Sequence, residues 1–394
     1  MAGGGSGSKA TPSPAAGASA IAKASATPTA TPTPVPTPTE TPTPTPTPTP
    51  IPMSFSTLPE TMTIGRDSAY VITLGNGQVL IAGGETNFKT GGVTNAAEIY
   101  DPTTGKFTKI ATMKSPRTWG TASLLPDGRV LFTGGTNGKY RVASTEIFDP
   151  TTKKFTAGPN MTTSRIEHTA TTLSDGRILL VGGWNKGASL ATAEIYDPAT
   201  NKFTKTGSMT GGRNAQAAVL LADGRVLIVG GANKDKPINT AEIYDPTTGK
   251  FTPTAKMTDS RSSPIAVRLA DGRVIVMGGY DGTTDLTSSE IWDPAAGTWQ
   301  DGPPMSDGHT GGAFATLADG RILVAAGWSD QYPTAGAEVY DPTTNAFISV
   351  SSLDTSRGNP CFTVLADGRL FVAGGIDQSV TPEKSVEIYG PPAS

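Results

Sequence analysis

The sequence contains few of the side chains from which metal sites and nucleophilic active sites are built. Its single cysteine, Cys361, rules out an intramolecular disulfide, and two histidines, His168 and His309, are too few for a closed zinc site. The histidines occupy different positions in their segments, so their spacing does not indicate a metal-binding pair. No Ser-His-Asp or phosphate-loop pattern is present. We therefore predict no metal, no cofactor, and a hydrogen-bonded structural role for a lone histidine.

Arginine recurs at one position of a repeating segment, four residues after a methionine or leucine. Its guanidinium group carries a forked set of donors that suits carboxylates. Two interpretations are open. The arginines either form structural bonds with a repeated glutamate or with backbone, or they form an exposed positive ring that attracts carboxylates or acidic sugars. In the second case the candidate ligand-binding residues are Arg66, Arg117, Arg165, Arg213, Arg261 and Arg357, with His309 in the sixth place.

Aromatic side chains follow a repeated Gly-Gly or Ala-Gly pair in only some of the repeats. Trp184, Tyr280 and Trp328 occupy this position, with Tyr332 nearby. Such rings stack on sugars or on the aromatic side chains of a partner, and they also pack against neighbouring loops. Trp119 is a further candidate, because it lies two residues after the repeated arginine, where other repeats carry Ser, Glu, Ala, Gly or Asn.

These positions belong to an internal repeat that is present seven times. Gly-Gly pairs and Asp-Gly turns each mark seven units, with Ala326-Gly327 in place of one pair and Asn76-Gly77 in place of one turn. Triplets of the Glu-Ile-Tyr type recur at intervals of 48 residues five times and then 49, beginning at Glu98, Glu146, Glu194, Glu242, Glu290, Glu338 and Glu387. Three markers therefore indicate seven repeats independently.

Each repeat has the pattern of four short strands separated by turns. In the second repeat, Asp127-Gly128 predicts a tight hairpin, and Asp149-Pro150 ends the third strand. Four strands per unit without a helical period predict an all-β, seven-bladed β-propeller with four antiparallel strands per blade. The last repeat lacks a fourth strand, and residues 54–58 match it, so we expect the N-terminal strand to complete blade seven.

The Gly-Gly pair, the Glu-Ile-Tyr-Asp-Pro third strand and the aromatic residue that opens strand four resemble the kelch repeat, from about residue 53 to 390. Kelch units usually carry tryptophan at that aromatic position, and this chain carries mostly phenylalanine, with Trp299 the exception. Galactose oxidase has a propeller of this type, and resemblance to it implies a copper site of two tyrosines, two histidines and a tyrosine-linked cysteine. That arrangement is absent from the sequence, so copper oxidase chemistry is not expected.

The loops between strands two and three vary among the repeats, whereas the other turns are short and nearly invariant. A rigid scaffold that carries variable loops typically binds through them. We predict a non-catalytic binding module that presents this face to a glycan or protein partner. The alternatives are a sugar-active enzyme of the epimerase or oxidase type and a purely structural display scaffold. An epimerase needs arginine and a carboxylate base at a sugar acid, and no carboxylate stands out.

Residues 1–52 are rich in Ala, Thr and Pro and are predicted to be a disordered, extended tail or linker, followed by the propeller over residues 53–394. Thr-Pro spacers resemble those of exported bacterial surface proteins, which predicts an extracellular or cell-surface location. A plain linker is the alternative. The net charge of −3 over 394 residues argues against nucleic-acid binding. No apolar run is long enough for a transmembrane segment, and we expect a monomer.

Overall fold

A computed structural model of the chain describes residues 53–391, and these form strands, turns and bends with no helix. The predicted tail, residues 1–52, lies outside the described residues. Seven antiparallel sheets have four strands each, and four small hairpins have two strands each. The predicted all-β, seven-bladed propeller is therefore confirmed. Within the described range there is no helix that is long and apolar enough to cross a membrane.

The strands follow one another blade by blade, with the small hairpins in the loops between strands two and three. Before blade one lies β1 (Ser54–Thr57). Blades one to three contain β2 (Tyr70–Thr73), β3 (Val79–Ala82), β4 (Glu85–Asn87), β5 (Gly92–Val93), β6 (Ala97–Asp101), β7 (Lys106–Lys109); β8 (Thr121–Leu124), β9 (Val130–Thr133), β10 (Thr145–Asp149), β11 (Lys154–Ala157); β12 (Thr169–Thr172), β13 (Ile178–Val181), β14 (Trp184–Asn185), β15 (Ala188–Ser189), β16 (Thr192–Asp197) and β17 (Lys202–Ser208).

Blades four to seven repeat this order. They contain β18 (Ala217–Leu220), β19 (Val226–Val229), β20 (Ala232–Asn233), β21 (Lys236–Pro237), β22 (Ala241–Asp245), β23 (Lys250–Pro253); β24 (Ile265–Arg268), β25 (Val274–Met277), β26 (Ser289–Asp293), β27 (Thr298–Asp301); β28 (Ala313–Thr316), β29 (Ile322–Ala325), β30 (Trp328–Ser329), β31 (Tyr332–Pro333), β32 (Ala337–Asp341), β33 (Ala346–Ser349); β34 (Cys361–Val364), β35 (Leu370–Ala373) and β36 (Val386–Gly390).

All four residues of the second strand are buried in every blade, and they are all apolar except Thr133 in β9; β13 and β25 are examples. Continuous burial follows from packing on both faces, since each sheet lies between two neighbouring blades. Tight turns connect the strands. Gly128 has φ 83° in the Asp-Gly turn of blade two, and Asp149 accepts a hydrogen bond from the Thr151 amide at 2.8 Å after strand three.

The hydrophobic core is divided into clusters between adjacent blades. The aromatic residue of strand three packs against the aromatic residue that opens strand four, as in Tyr244 and Phe251, whose ring centroids are 4.8 Å apart. In blade five the pair is Trp292 and Trp299, at 6.5 Å. The first strands of neighbouring blades contact one another, so they lie at the centre of the ring. Cys361, in the first strand of blade seven, is buried as a free thiol, as the sequence predicted.

The two ends of the described chain form one sheet. Strand β1 pairs antiparallel with β36, from Ser54 opposite Gly390 to Thr57 opposite Glu387. Phe55 packs against Tyr389 with ring centroids 5.0 Å apart. The N-terminal strand therefore supplies the missing fourth strand of blade seven, as the sequence predicted, and the ring has no open seam there.

Candidate functional site

The repeated arginines do not form an exposed positive ring. Their side chains are at most 2% exposed, and each lies beside the glutamate of its own third strand. The Nη–Oε distances are between 2.8 and 3.2 Å. The structure therefore corrects the ligand-binding interpretation for Arg66, Arg117, Arg165, Arg213, Arg261 and Arg357, and it agrees with the structural alternative.

The reason for this burial is visible in blade two. Arg117 Nη1 donates to the carbonyl oxygens of Gly134 and Ser144 at 3.3 and 3.0 Å, and Nη2 lies 3.0 Å from Glu146 Oε1. The same carboxylate accepts hydrogen bonds from two backbone amides of the segment that leads into the blade, including Lys114 at 2.7 Å. A buried charge is stable only when it is paired and hydrogen-bonded in this way. Each pair therefore fastens the connection between blades.

His309 takes the place of the arginine in blade six and is fully buried. Its Nδ1 lies 2.8 Å from the carbonyl oxygen of Ala326, and its Nε2 lies 3.6 Å from Glu338 Oε1. The shorter imidazole thus makes some of the contacts that the arginine side chain makes in the other blades. Its inclusion among the ligand-binding candidates is corrected for the same reason as the arginines.

His168 also has a structural position. Its Nε2 lies 3.0 Å from Thr133 Oγ1 and 3.2 Å from Thr121 Oγ1, inside the junction between blades two and three. Burial, and then the charge of Arg165, hold the pKa of His168 well below its usual value. The imidazole is therefore neutral, and the residue agrees with the structural role expected of a lone histidine.

A ring of seven residues with left-handed backbone conformation surrounds the mouth of the central channel on the loop face. We call it the mouth ring. Each member lies two residues after the repeated arginine or His309, with φ between 47° and 61°. The members are Ser68, Trp119, Glu167, Ala215, Ser263, Gly311 and Asn359. Backbone hydrogen bonds link neighbours around the ring, for example from the Glu167 amide to the Trp119 carbonyl at 2.9 Å.

The mouth ring is an unusual place for the side chains that it carries. Left-handed backbone costs a non-glycine residue about 1–2 kcal/mol, and glycine avoids that cost. Only Gly311 is glycine, while Trp119 and Glu167 are large and Ala215 is small. The backbone is repeated in every blade and the side chain is not.

A pocket of about 370 Å³ opens at the mouth ring and is lined by residues from blades two to seven. The aromatic part of its wall is formed by Trp119, Tyr280 and Trp328, three of the five predicted aromatic candidates. The indole of Trp328 donates to Asn359 Oδ1 at 3.0 Å, and the indole of Trp119 lies 3.4 Å from Glu85 Oε2. These bonds fix the orientation of both indoles.

The other two aromatic candidates are not among the residues that line the pocket. The guanidinium carbon of Arg141 lies 4.1 Å from the ring centroid of Trp184, so one face of that indole is covered by a cation. Tyr332 is 67% exposed and lies in the hairpin of β30 and β31. The sequence could not separate these two residues from the three that line the pocket, because side-chain direction in a loop follows no period.

The polar wall of the pocket contains residues that the sequence did not single out. Asn214 Nδ2 donates to Glu167 Oε2 at 2.7 Å, and Asp235 lies exposed at the rim. Burial raises the pKa of Glu167, although the bond from Asn214 opposes the shift. No lysine or arginine lines this pocket within the described residues. The sequence signal that could have pointed to Glu167 is that the residue type two positions after the repeated arginine varies among the blades.

The residues of the site do not fit the copper centre of the oxidase type. Among residues 53–391 there is no group of three or more histidine, cysteine or acidic side chains that could hold a metal ion. His168 and His309 are both buried in the contacts described above. Neither of them lines the pocket.

The fold and its pocket define a β-propeller that carries variable loops on one face. The family model for the Kelch motif matches residues 68–114, 120–162, 168–210, 213–258, 261–306 and 309–353. The chain therefore belongs to the kelch-repeat family. The six matches cover the first six blades, and the seventh is assembled from the two ends of the described chain.

Comparison with solved structures gives the same fold. A fungal alcohol oxidase of the AA5 family, solved in complex with copper, matches with a TM-score of 0.69 and 21% sequence identity. The match covers 86% of this chain and 76% of that chain. At this level of identity the likeness concerns the fold alone. A comparison with curated protein sequences finds no match.

Proposed function

We propose that this protein is a non-catalytic binding module whose loop face receives a group of a glycan or protein partner in the pocket at the mouth ring. Kelch propellers are commonly protein-interaction modules, which supports the general class. The observation that carries the proposal is the mouth ring, where the same left-handed backbone carries six different residue types in the seven blades. A purely structural display scaffold gives no reason for tryptophan and glutamate at such positions.

The pocket has the composition of a recognition site. Aromatic faces from Trp119, Tyr280 and Trp328 supply apolar contact area, and Glu167, Asn214 and Asn359 supply hydrogen-bonding groups that fix orientation. The aromatic side chains have few rotatable bonds, so holding them against a ligand costs little conformational entropy. Sugar rings and the side chains of a protein both fit this description. Acidic sugars are disfavoured, because Glu167 and Asp235 would repel them.

The test uses the full-length chain on a glycan array and a peptide array, with W119A and W328A as variants. We expect each substitution to reduce binding of the retained ligand by about 30-fold or more, as for a central aromatic contact. The control is I348A, because Ile348 is 51% exposed on strand four, away from the pocket. Retention that is unchanged in both tryptophan variants would reject the pocket as the binding site.

A second substitution separates binding from folding at the mouth ring. In W119G the left-handed backbone becomes favourable while the pocket wall is lost. We expect stability to change by about 1 kcal/mol or less, since relief of strain offsets the added freedom of the unfolded chain. S68G makes the same backbone change at a mouth-ring residue that does not line the pocket. It should bind normally, and equal loss in both variants contradicts the proposal.

We also propose an extracellular or cell-surface location, on the basis of the Thr-Pro segment at residues 27–52. Such a spacer would hold the binding face away from the surface that carries it. Protease treatment of intact cells of the source organism tests this proposal. Loss of the protein from intact cells supports it, and full protection until the cells are lysed opposes it.

A further inference from the structure

Charge is distributed unevenly around the propeller. Residues 58–256, which span blades one to four, contain 22 lysines and arginines and 16 aspartates and glutamates. Residues 257–353, which span blades five and six, contain four arginines, no lysine and 12 acidic residues. The near-neutral net charge of the whole chain therefore hides a basic side and an acidic side.

The excess of acidic over basic residues in blades five and six lies at the surface. Arg261 is buried against Glu290, and Arg273 and Arg321 are bound to the turn aspartates Asp271 and Asp319. The opposite charges within each of these three pairs cancel. Arg268 is left as the one other cation of residues 257–353, against the remaining carboxylates. A ligand that approaches these two blades therefore meets an excess of negative charge.

Three of the remaining carboxylates lie in the loops that flank the aromatic wall of the pocket. We call them the acidic loop cluster: Asp281 and Asp285 follow Tyr280, and Asp330 follows Trp328. Asp285 Oδ2 accepts a hydrogen bond from the Gln331 amide at 2.8 Å, and Asp281 Oδ1 accepts bonds from the backbone amides of Thr283 and Thr284 and from the Thr283 hydroxyl. Among the described residues, no lysine or arginine nitrogen lies within 4.0 Å of any of the three.

The loops of blades one to four have the opposite character. They carry six cations, which are Lys89, Lys139, Arg141, Lys186, Lys234 and Lys236. Arg141 already covers Trp184. The excess of cations in these loops repels a cationic ligand, whereas the acidic loop cluster and the pocket carboxylates Glu167 and Asp235 attract it.

We propose that the loop face binds a basic peptide segment of a protein partner, with a lysine or arginine side chain entering the pocket beside Tyr280 and Trp328. The proposal rests on the binding function proposed above and narrows it to one class of ligand. An ammonium or guanidinium group gains from the faces of aromatic rings and from carboxylates at once. The pocket offers both, since Glu167 and Asp235 also line it.

The test measures fluorescence anisotropy of a short labelled peptide in which arginine alternates with alanine, added to the full-length protein. The matching peptide with glutamate in place of arginine is the charge control. We expect the arginine peptide to bind and the glutamate peptide not to bind. Raising the ionic strength from about 0.05 M to about 0.3 M should weaken binding strongly, because exposed charges are screened.

The decisive variant is the triple substitution D281N, D285N and D330N. Asparagine preserves the backbone hydrogen bonds of these loops while removing the charge. The matched control is D293N, D301N and D341N, which removes the same charge from the same two blades at their strand-three turns and strand four. We expect about a tenfold or greater loss of affinity in the first triple variant and less than about a twofold loss in the second.

Four outcomes overturn the inference. Equal loss in both triple variants shows general charge attraction and no defined site. Binding of the glutamate peptide in place of the arginine peptide shows the opposite ligand class. Salt-sensitive self-association in sedimentation, abolished by the first triple variant, shows that the acidic loops bind a second copy. If a glycan or uncharged peptide binds in a Trp328-dependent manner while the arginine peptide does not, the proposed function stands and this inference alone fails.

Discussion

Arg165 and Glu194 form an ion pair that is completely removed from solvent, with Nη2 and Oε1 2.9 Å apart. Equivalent buried pairs are present in five other blades of the described propeller. Glu194 also accepts a hydrogen bond from the Thr162 amide at 2.7 Å, so the pair joins a blade to the segment that precedes it.

We predict that R165A and E194A each lower the free energy of unfolding by about 3–5 kcal/mol, because either change leaves a buried charge without its partner. Denaturant unfolding measures the effect. The control is R177A, which breaks the exposed pair with Asp175 and should cost less than about 1 kcal/mol. Similar small costs in all three variants would contradict the structural role of the buried pairs.

Because the pKa of His168 is lowered, we predict that the protein loses stability in mild acid. That pKa is lowered in the folded protein, so below pH 6.5 the unfolded chain binds a proton that the folded chain does not. Stability then falls with decreasing pH, by about 1.4 kcal/mol per pH unit for this group. In H168Q this contribution is absent, and Gln216 shows that glutamine is accepted at the equivalent position of blade four, with its Nε2 2.8 Å from the Val181 carbonyl.

The measurement for His168 is the difference in unfolding free energy between H168Q and the original chain at pH 7.5 and pH 5.5. The difference should shift in favour of H168Q at the lower pH. Other titrating groups are common to both proteins and cancel. A difference that is independent of pH would show that His168 titrates normally in the folded state.

Asp67 predicts a change of the opposite sign. Burial, and then the charge of Glu85, raise its pKa to about 6, although Asn359 and Ser68 oppose the shift through hydrogen bonds. A raised carboxyl pKa means that stability is lost as pH rises from about 4 to about 6. D67N should therefore stabilise the protein above pH 7, by up to about 3 kcal/mol, and have little effect near pH 4.

The control for Asp67 is D127N, because Asp127 is exposed and its pKa is lowered by its bond to Arg129. That variant should be slightly destabilised at pH 7, by less than about 1 kcal/mol. Thermal melts over the range from pH 4 to pH 8 compare the two. Destabilisation by D67N at pH 8 would show that the carboxylate makes a favourable contact there.

Deletion of residues 53–58 should lower the melting temperature sharply. It removes β1, opens the sheet of blade seven and exposes Tyr389, which Phe55 covers. Deletion of residues 2–8, far from the propeller in sequence, is the control. An unchanged melting temperature after removal of β1 would mean that the ring closes without the N-terminal strand.

The sequence predicts most of the fold because turn chemistry is local. Asp-Gly and Asp-Pro each dictate a backbone conformation where they occur, and their regular spacing gives the blade count and the split seventh blade. The position of Trp299, which replaces the usual phenylalanine, is equally predictable from the sequence, since it packs against Trp292 where the repeat places the aromatic pair.

The pocket is less predictable because its residues come from different blades and meet only in the folded ring. Glu167, Asn214 and Asn359 come from three blades, and nothing in a single repeat states that their side chains meet. The arginines left two interpretations open because the identical pattern suits an ion pair or an exposed ring, and only tertiary burial distinguishes them. Trp184 has the same place in its repeat as Trp328, yet Arg141 from the neighbouring loop covers it.

The pairing of β1 with β36 has a mechanical consequence. Ser54 and Gly390, where the chain enters and leaves the ring, are opposite each other at one end of the same antiparallel ladder. A force that pulls the two ends of the chain apart therefore opens these hydrogen bonds one after another, as a zipper opens, and does not load them all at once in shear. Under tension the propeller yields first at blade seven, while the other six blades carry little of the load.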